Sequence, residues 1–295
     1  MNVPVPVRHV SVLPREVLHG LNPQPGQVLV DCTTGVGGHT RLLAERVAPE
    51  GVVLALDQDA AMLEHARARL EGLPVRLIHA PFDTLPDVLD SLGIAAVDGV
   101  LADLGICSDQ LDQAERGFSF GQEGPLDMRM NRQDAETAAE MIHRLPERDL
   151  ADLIYRYGEE RHSRRIAKRI VEERKKTRFT TTTQLADLVR RCVPRSGGID
   201  PATRTFQALG IAVNDEMGSL ERLLAALPRV LKPGGVAAII SFHSLEDRPV
   251  KQAFRQSEVW EEITRKPLTA QADETASNPR SRSAKLRLAR RKATT

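Results

Sequence analysis

This 295-residue chain has no long hydrophobic run and few cysteines. No apolar run approaches the roughly 18 residues that a membrane-spanning helix needs. Residues 1–10 include Pro4 and Pro6 and contain no apolar stretch, so a signal peptide is not expected. These absences predict a cytoplasmic protein without a membrane partner.

Cysteine is scarce as well. The three cysteines, Cys32, Cys107 and Cys192, lie far apart and are odd in number. That pattern argues against a disulfide framework and against a zinc site, and it suits a reducing compartment. No metal ion is therefore expected.

Charge is distributed unevenly, although the formal net charge is only +1. The balance is −7 over residues 1–110, +3 over 111–210 and +5 over 211–295. The densest stretches are 155–178, with ten basic residues against four acids, and 278–295, with seven basic residues and no acid. A polyanion could bind the second and third parts. Solvated helix faces would produce the same composition, so both interpretations stay open.

Short apolar runs alternate with helical patterns over the first hundred residues. The runs predict four strands, at 28–30, 52–56, 75–78 and 97–102. Amphipathic stretches between the strands, at 59–71 and 83–92 among others, predict helices. Strands that alternate with helices indicate a parallel, doubly wound α/β sheet.

The alternation stops after residue 110. No convincing strand is found at 111–206, where helices are predicted at 134–143, 147–157, 159–176 and 183–192. It resumes with a helix at 215–231, a strand at 236–241, a helix at 245–256, a weakly ordered stretch at 269–283 and a strand at 285–289. We therefore predict a core formed by residues 1–110 and 210–295, with an inserted helical domain at 111–209.

Acidic residues end three of the predicted strands. They are Asp31, Asp57 and Asp103, and a glycine-rich turn at 35–38 follows the first of them. Ligands of doubly wound sheets bind at the carboxyl ends of the strands. Asp57 follows Gly37 by 20 residues, the separation typical of a carboxylate that binds ribose hydroxyls. Together these features predict a nucleoside-containing cofactor.

The turn also favours one cofactor over another. Gly35 and Gly37 are followed by Thr40, so the third glycine of a dinucleotide fingerprint is missing. Asp31, directly before the turn, suits a ligand with a positive end better than a pyrophosphate. S-adenosylmethionine carries a sulfonium and an α-ammonium group, so it is preferred; a nicotinamide-dependent oxidoreductase is the alternative.

Several candidate residues have a plain structural interpretation beside the functional one. Asp103 faces the transferred methyl group or caps a helix, and His39 contacts the ligand or only occupies a first helical turn. The segment 243–248 lines the crevice or forms a capping-box variant of Ser244 with Asp247. Phe118 and Phe120 stack on a base or anchor a core.

Many separated motifs point to one family. They lie at residues 9–13, 31–40, 55–59, 80–82, 103–105, 110–112, 116–120, 124–130, 157–161, 201–208, 241–248 and 278–283. In this order and almost end to end, they resemble the RsmH (formerly MraW) family of 16S ribosomal RNA cytosine-N4 methyltransferases. Cys32 stands where that family usually has Gly or Ala, and Cys107 where it usually has Ser.

The resemblance implies a Rossmann-like class I S-adenosylmethionine-dependent methyltransferase sheet with an inserted all-helical domain that recognises the substrate. It implies a cytidine in the decoding region of 16S ribosomal RNA, within the small ribosomal subunit, as the acceptor, and either a monomer or a homodimer. The implied cofactor contacts are Gly37, Gly38 and His39 at the methionine end, Asp57 at the ribose and Phe82 at the adenine. Asp103 and Gln110 complete the implied pocket, and Asp31 borders it.

Asp103 is the predicted catalytic residue. The N4 lone pair of cytosine is delocalised, so transfer depends on positioning and on an acceptor for an N4 hydrogen. Amino-methylating enzymes often have Pro-Pro and an aromatic residue after this acid, whereas here Leu104 and Gly105 follow. The unstacked base must then be braced elsewhere. A silent RNA-binding factor and a small-molecule methyltransferase are the remaining rivals.

Overall fold

The computed structural model describes residues 10–194 and 198–293. The chain divides into two compact units, one formed by residues 1–105 and 218–295 and one by residues 106–217. We call them the sheet unit and the helical unit. The divisions lie close to the expected boundaries at 110 and 209; the second falls later because a helix over Thr203–Val213 continues past residue 209.

The sheet unit is built on one mixed sheet. Within the described residues the strands are β1 (Val28–Asp31), β2 (Val52–Asp57), β3 (Val75–His79), β4 (Val97–Asp103), β5 (Leu231–Ser241), β6 (Trp260–Glu262) and β7 (Lys285–Arg291). Their order is β3-β2-β1-β4-β5-β7-β6. Strands β1 to β5 pair in parallel, and β7 is antiparallel to β5 and β6. The predicted Rossmann-like α/β sheet is confirmed.

Helices account for about half of the described residues outside the strands. In chain order they are α1 (Pro14–Leu21), α2 (Gly38–Val47), α3 (Ala60–Arg69), α4 (Leu85–Ser91), α5 (Ser108–Asp112), α6 (Ala138–Arg144), α7 (Glu147–Gly158), α8 (Ser163–Glu173), α9 (Thr182–Cys192), α10 (Thr203–Val213), α11 (Glu216–Val230), α12 (Ser244–Phe254) and α13 (Ala272–Ser277). Among the described residues, no helix is both long and apolar enough to cross a membrane.

The elements that were not predicted include α10, α1 and β6, each for a different reason. Helix α10 is buried on most of its sides, so it lacks the amphipathic stripe that identifies a surface helix. Helix α1 begins at a proline behind Leu13, whose φ is +52°, and is only eight residues long. Strand β6 is three residues at the sheet edge, too short for a recognisable alternation.

The stretch at 269–283 is more ordered than predicted. It contains α13 and a 3₁₀ turn at Pro279–Ser283. Glu274 Oε1 accepts the Leu13 backbone N–H at 2.7 Å, and Asn278 Nδ2 donates to the Val10 carbonyl at 3.0 Å. The order arises from contacts with residues more than 250 positions away, which local sequence cannot reveal.

The helical unit has its own hydrophobic core. Helices α6 to α10 contribute to it, and Phe118 is one of its buried members. Phe120 packs against this core, with its ring centroid 4.6 Å from that of Phe206. Asn214 links two segments of the unit: it accepts the Met130 N–H at 2.7 Å and donates to the Met128 carbonyl at 2.8 Å. Both phenylalanines are core anchors, as the structural interpretation predicts.

Candidate functional site

Three carboxyl groups meet at one edge of the sheet. Asp31, Asp57 and Asp103 are the last residues of β1, β2 and β4. These strands are parallel neighbours in the order β2-β1-β4. Their carboxyl ends therefore lie side by side, where doubly wound sheets bind ligands.

Asp31 ties the turn after β1 to the first helical turn of α2. Its Oδ2 accepts the Thr40 hydroxyl at 2.7 Å, and its Oδ1 accepts the Thr33 N–H at 3.1 Å. Burial raises the pKa of Asp31 to about 6, against the opposing effect of these hydrogen bonds. Thr40, which replaces the third glycine of a dinucleotide fingerprint, is thus the hydroxyl partner of the buried acid.

Asp57 holds the turn from the neighbouring strand. Its Oδ2 accepts the Gly35 N–H at 2.7 Å, and its Oδ1 accepts the Asp59 N–H at 2.9 Å. Burial raises the pKa of Asp57 to about 6, helped by the charges of Asp59 and Asp31. An ionised carboxylate has about four acceptor positions, so capacity remains for hydroxyl donors of a ligand.

Two glycines of the turn have left-handed backbone and different surroundings. Gly35 has φ +51° and Gly37 has φ +85°. A Cβ at Gly37 would lie 3.0 Å from the Leu70 side chain, whereas a Cβ at Gly35 would meet nothing within 4 Å. Gly37 is needed for packing inside the unit, and any ligand contact would be made through its backbone. Gly35 borders open space.

Asp103 and His39 come together from β4 and α2. His39 Nε2 lies 3.7 Å from Asp103 Oδ2, and both side chains are largely buried. The Asp103 N–H donates to Thr33 Oγ1 at 2.6 Å, while Asp103 Oδ1 accepts no hydrogen bond from any residue that the structure describes. Helix α5 begins only at Ser108, with Cys107 at its N-cap. The helix-capping interpretation of Asp103 is therefore wrong.

Other acids act on the ionisation of Asp103. Burial raises its pKa well above the usual value of 3.8, and the charges of Asp31 and Glu246 raise it further, while Arg280 opposes them. A positive ligand would relieve this repulsion.

The segment after β5 adds an acid, Glu246, that the sequence motifs did not single out. Glu246 is buried, and its Oε2 accepts the Phe242 N–H at 2.7 Å and the His243 N–H at 3.3 Å. His243 Nε2 lies 3.3 Å from Glu246 Oε1. The spacing of three residues between His243 and Glu246 is that of a capping box and was the available signal.

The predicted capping pair of Ser244 with Asp247 is wrong. Residue Asp247 instead pairs with Arg287 of β7, its Oδ1 lying 2.7 Å from Arg287 Nε. Hydrogen bonds and charge from Arg287, with Lys285 and Lys251, hold the pKa of Asp247 below its usual value despite partial burial. Asp247 therefore joins α12 to β7.

Two further residues, Phe82 and Gln110, were predicted to contact the cofactor. Phe82 starts a 3₁₀ turn just after β3, at the same sheet edge, and is half-buried. Next to it, Asp83 forms an ion pair of 2.8 Å with Arg222 of α11. Gln110 belongs to the helical unit, where its Oε1 accepts the Cys107 N–H at 3.1 Å. The ligand roles of Phe82 and Gln110 stay predictions.

The cluster fits a cationic nucleoside ligand on its own chemistry. The sheet unit gathers Asp31, Asp57 and Asp103 with His39 and Gly38, the second and first residues of α2. Carboxyls with raised pKa values favour a positive charge beside them, and the open side of Gly35 admits a ligand. A pyrophosphate would add negative charge to the same edge. Among the described residues, no group of three or more His, Cys, Asp or Glu side chains could hold a metal ion.

Comparison with known proteins gives matches over nearly the whole chain. The profile of a family described as the MraW methylase family matches residues 6–292. A protein of Sorangium cellulosum named ribosomal RNA small subunit methyltransferase H is 54% identical over 288 residues, covering 96% of this chain and 91% of that protein. A protein of the same name from Deinococcus deserti is 50% identical over 285 residues, covering 96% and 93%. Its namesake from Synechocystis is 49% identical over 294 residues, covering 95% and 92%.

Proposed function

Because the chain belongs to the MraW methylase family, we propose that it transfers a methyl group from S-adenosylmethionine to the N4 amine of a cytidine in the decoding region of 16S ribosomal RNA. Family membership makes it an S-adenosylmethionine-dependent methyltransferase of small-subunit ribosomal RNA, as the sequence motifs predicted. The decoding-region target, a cytoplasmic location, independence of metal ions, a monomeric or homodimeric state and every residue role below belong to the proposal.

The observation that supports the cofactor is the row of acids at the ends of adjacent strands. Asp31, Asp57 and Asp103 surround a turn whose Gly35 faces open space. Bound S-adenosylmethionine supplies a methyl group made electrophilic by its sulfonium. In the proposal Asp57 holds the ribose hydroxyls with its remaining acceptor positions, and Asp31 keeps the turn in register through Thr40.

The other cofactor roles follow from the motifs. The backbone of Gly37 and Gly38, with His39, holds the methionine end at the start of α2, and Phe82 lies against the adenine. Gln110 is the remaining residue that the motifs assign to the cofactor. Buried carboxyls fix the turn before any ligand arrives, so little ordering is needed on binding.

Asp103 is the proposed catalytic residue. Its Oδ1 has no hydrogen-bond donor among the described residues, which suits it to accept a hydrogen from the N4 amine. Accepting that hydrogen localises the nitrogen lone pair and stabilises the developing positive charge on N4. Burial, with the charges of Asp31 and Glu246, raises the pKa of Asp103, and the positive charge of a bound cofactor would favour its ionised form.

The proposal is tested by labelled methyl transfer to small ribosomal subunits that lack the modification, followed by nucleoside mass spectrometry. We expect 4-methylcytidine at a single decoding-region position. A modified nucleoside other than 4-methylcytidine, or none, would refute the acceptor assignment. Titration with nicotinamide dinucleotides, for which no binding is expected, addresses the oxidoreductase alternative.

A further inference from the structure

Ion pairs neutralise many surface cations of this chain. In the sheet unit, Arg41 pairs with Glu45 at 2.8 Å and Arg229 with Asp90 at 2.8 Å. The helical unit has further pairs of this kind, formed by Arg144, Arg148, Arg169, Lys176 and Arg190. A surface cluster of cations without such partners therefore stands out.

Helix α8 carries such a cluster on one face. Its buried face consists of Ser163, Ile166, Ala167 and Ile170. The opposite face follows the same helical spacing and is basic. We call this row, with its flanking residues, the basic stripe; its members are Arg161, Arg164, Arg165, Lys168 and Lys175.

Every member of the basic stripe is exposed, and none forms an ion pair with an acid in the part of the chain that the structure describes. The nearby acids are already engaged. Glu172 pairs with Arg169 at 2.9 Å, and Glu173 lies 3.6 Å from Lys176. No ion pair that the structure describes therefore neutralises the stripe.

Nothing in the fold of the helical unit requires this arrangement. Arg164 and Lys168 are four residues apart in α8, a spacing at which like charges on a helix repel each other. The buried face alone anchors α8 in the core. This repulsion destabilises α8, and the packing of the helical unit does not require it. We infer that the stripe binds an external polyanion.

The chemistry of the stripe selects the kind of polyanion. No large apolar side chain of α8 is exposed, whereas a helix that lies on a membrane or in a protein groove presents an apolar face. A row of Arg and Lys without apolar residues suits phosphate groups. We propose that the basic stripe of α8 binds the phosphate backbone of small-subunit ribosomal RNA; this inference rests on the proposed function.

The test is a triple variant, Arg164→Gln, Arg165→Gln and Lys168→Gln, in the full chain. Binding of radiolabelled small ribosomal subunits that lack the modification is measured at several salt concentrations. We expect a Kd increased about tenfold or more near physiological salt. The slope of log K against log salt should decrease in magnitude by roughly 2 to 3, since each lost phosphate contact contributes about 0.7 to 0.9. Affinity for S-adenosylhomocysteine should be unchanged.

The matched control removes the same number of cations from the same unit. Arg148→Gln, Arg169→Gln and Lys176→Gln alter residues that already face acids, so subunit binding should change little. A second variant, Arg164→Lys with Arg165→Lys, keeps the charge and should retain most of the affinity. Circular dichroism and thermal melts establish that each variant is folded.

The outcomes separate this inference from the proposed function. A triple variant that binds subunits with wild-type affinity and salt slope overturns the basic stripe as an RNA surface, even if wild-type enzyme forms 4-methylcytidine. A variant that loses binding to anionic lipid vesicles but not to subunits would also overturn the basic stripe as an RNA surface. Because the readout is binding, it stays decisive if no 4-methylcytidine is formed.

Discussion

The backbone N–H of Gly35 donates a 2.7 Å hydrogen bond to Asp57 Oδ2, linking the glycine-rich turn after β1 to the carboxyl end of β2. The acid proposed to hold the ribose is therefore also a structural part of the turn that shapes the cofactor site. Thr34 strengthens the same link, because its N–H and its hydroxyl both donate to the Leu56 carbonyl at 2.9 Å. The turn is fixed by β2 before a ligand binds.

Replacing Asp57 by Ala should weaken S-adenosylmethionine and S-adenosylhomocysteine alike, because both ligands carry the ribose hydroxyls. Loss of charge-assisted hydrogen bonds predicts a decrease in affinity on the order of 10- to 100-fold, measured by isothermal titration calorimetry. The exposed acid Asp90, paired with Arg229, is the control: Asp90→Ala should leave both affinities unchanged. A loss confined to S-adenosylmethionine would instead place Asp57 at the sulfonium.

Gly35→Ala should impair cofactor binding far more than it impairs folding. Gly35 has φ +51°, and no atom lies within 4 Å of the position that an added methyl group would take, so the left-handed backbone should cost about 1 kcal/mol of stability. Gly93 is matched, with φ +67° and equally open surroundings, so Gly93→Ala should cost a similar amount. Only Gly35→Ala should lose cofactor affinity, by about tenfold or more, in the same calorimetric titration. Equal affinities in the two variants would contradict the site.

Local sequence patterns predicted the strands of the sheet and the acidic residues at their ends. Each of the three acids was expected at a strand end, because an apolar run broken by a charge marks where a buried strand stops. Asp31, Asp57 and Asp103 do end β1, β2 and β4. Since parallel strands place their carboxyl ends at one edge, the cluster followed from topology alone.

Contacts between distant residues could not be predicted in this way. Glu246 comes close to Asp103 because β5 pairs with β4, and 143 positions of sequence separate the two acids. The sequence shows Thr40 only as the residue that replaces a third glycine. Its hydrogen bond to Asp31 could not be predicted, because it depends on how α2 leaves the turn. The electrostatic repulsion between the acids of the site therefore depends on the assembled sheet.

The ligand-free protein should lose stability, relative to its Asp57→Asn variant, as pH rises from about 4 to 6. Burial raises the pKa of Asp57 to about 6 in the folded protein, above the usual value of 3.8. The folded state consequently binds more protons than the unfolded state in this window, and ionisation at higher pH disfavours folding. Two pH units correspond to at most about 3 kcal/mol, detectable as a difference between urea unfolding free energies. Parallel curves for the two proteins would contradict the raised pKa of Asp57.

Asp103→Asn should slow methyl transfer while the protein remains folded and able to bind its cofactor. With cofactor saturating, replacing the carboxylate that is proposed to accept the N4 hydrogen by a neutral amide predicts a decrease in the single-turnover rate on the order of 10² to 10³. Affinity should fall more for S-adenosylmethionine than for S-adenosylhomocysteine, because only the former places a sulfonium charge among the acids. Asp98, at the opposite end of β4 and paired with Lys232 at 2.9 Å, provides the control, since Asp98→Asn removes a charge from the same strand away from the site. A near-normal rate for Asp103→Asn at full cofactor occupancy would contradict the catalytic role of the Asp103 carboxylate. His243, beside Glu246, would then be the next candidate, and the same measurement on a His243 variant would test it.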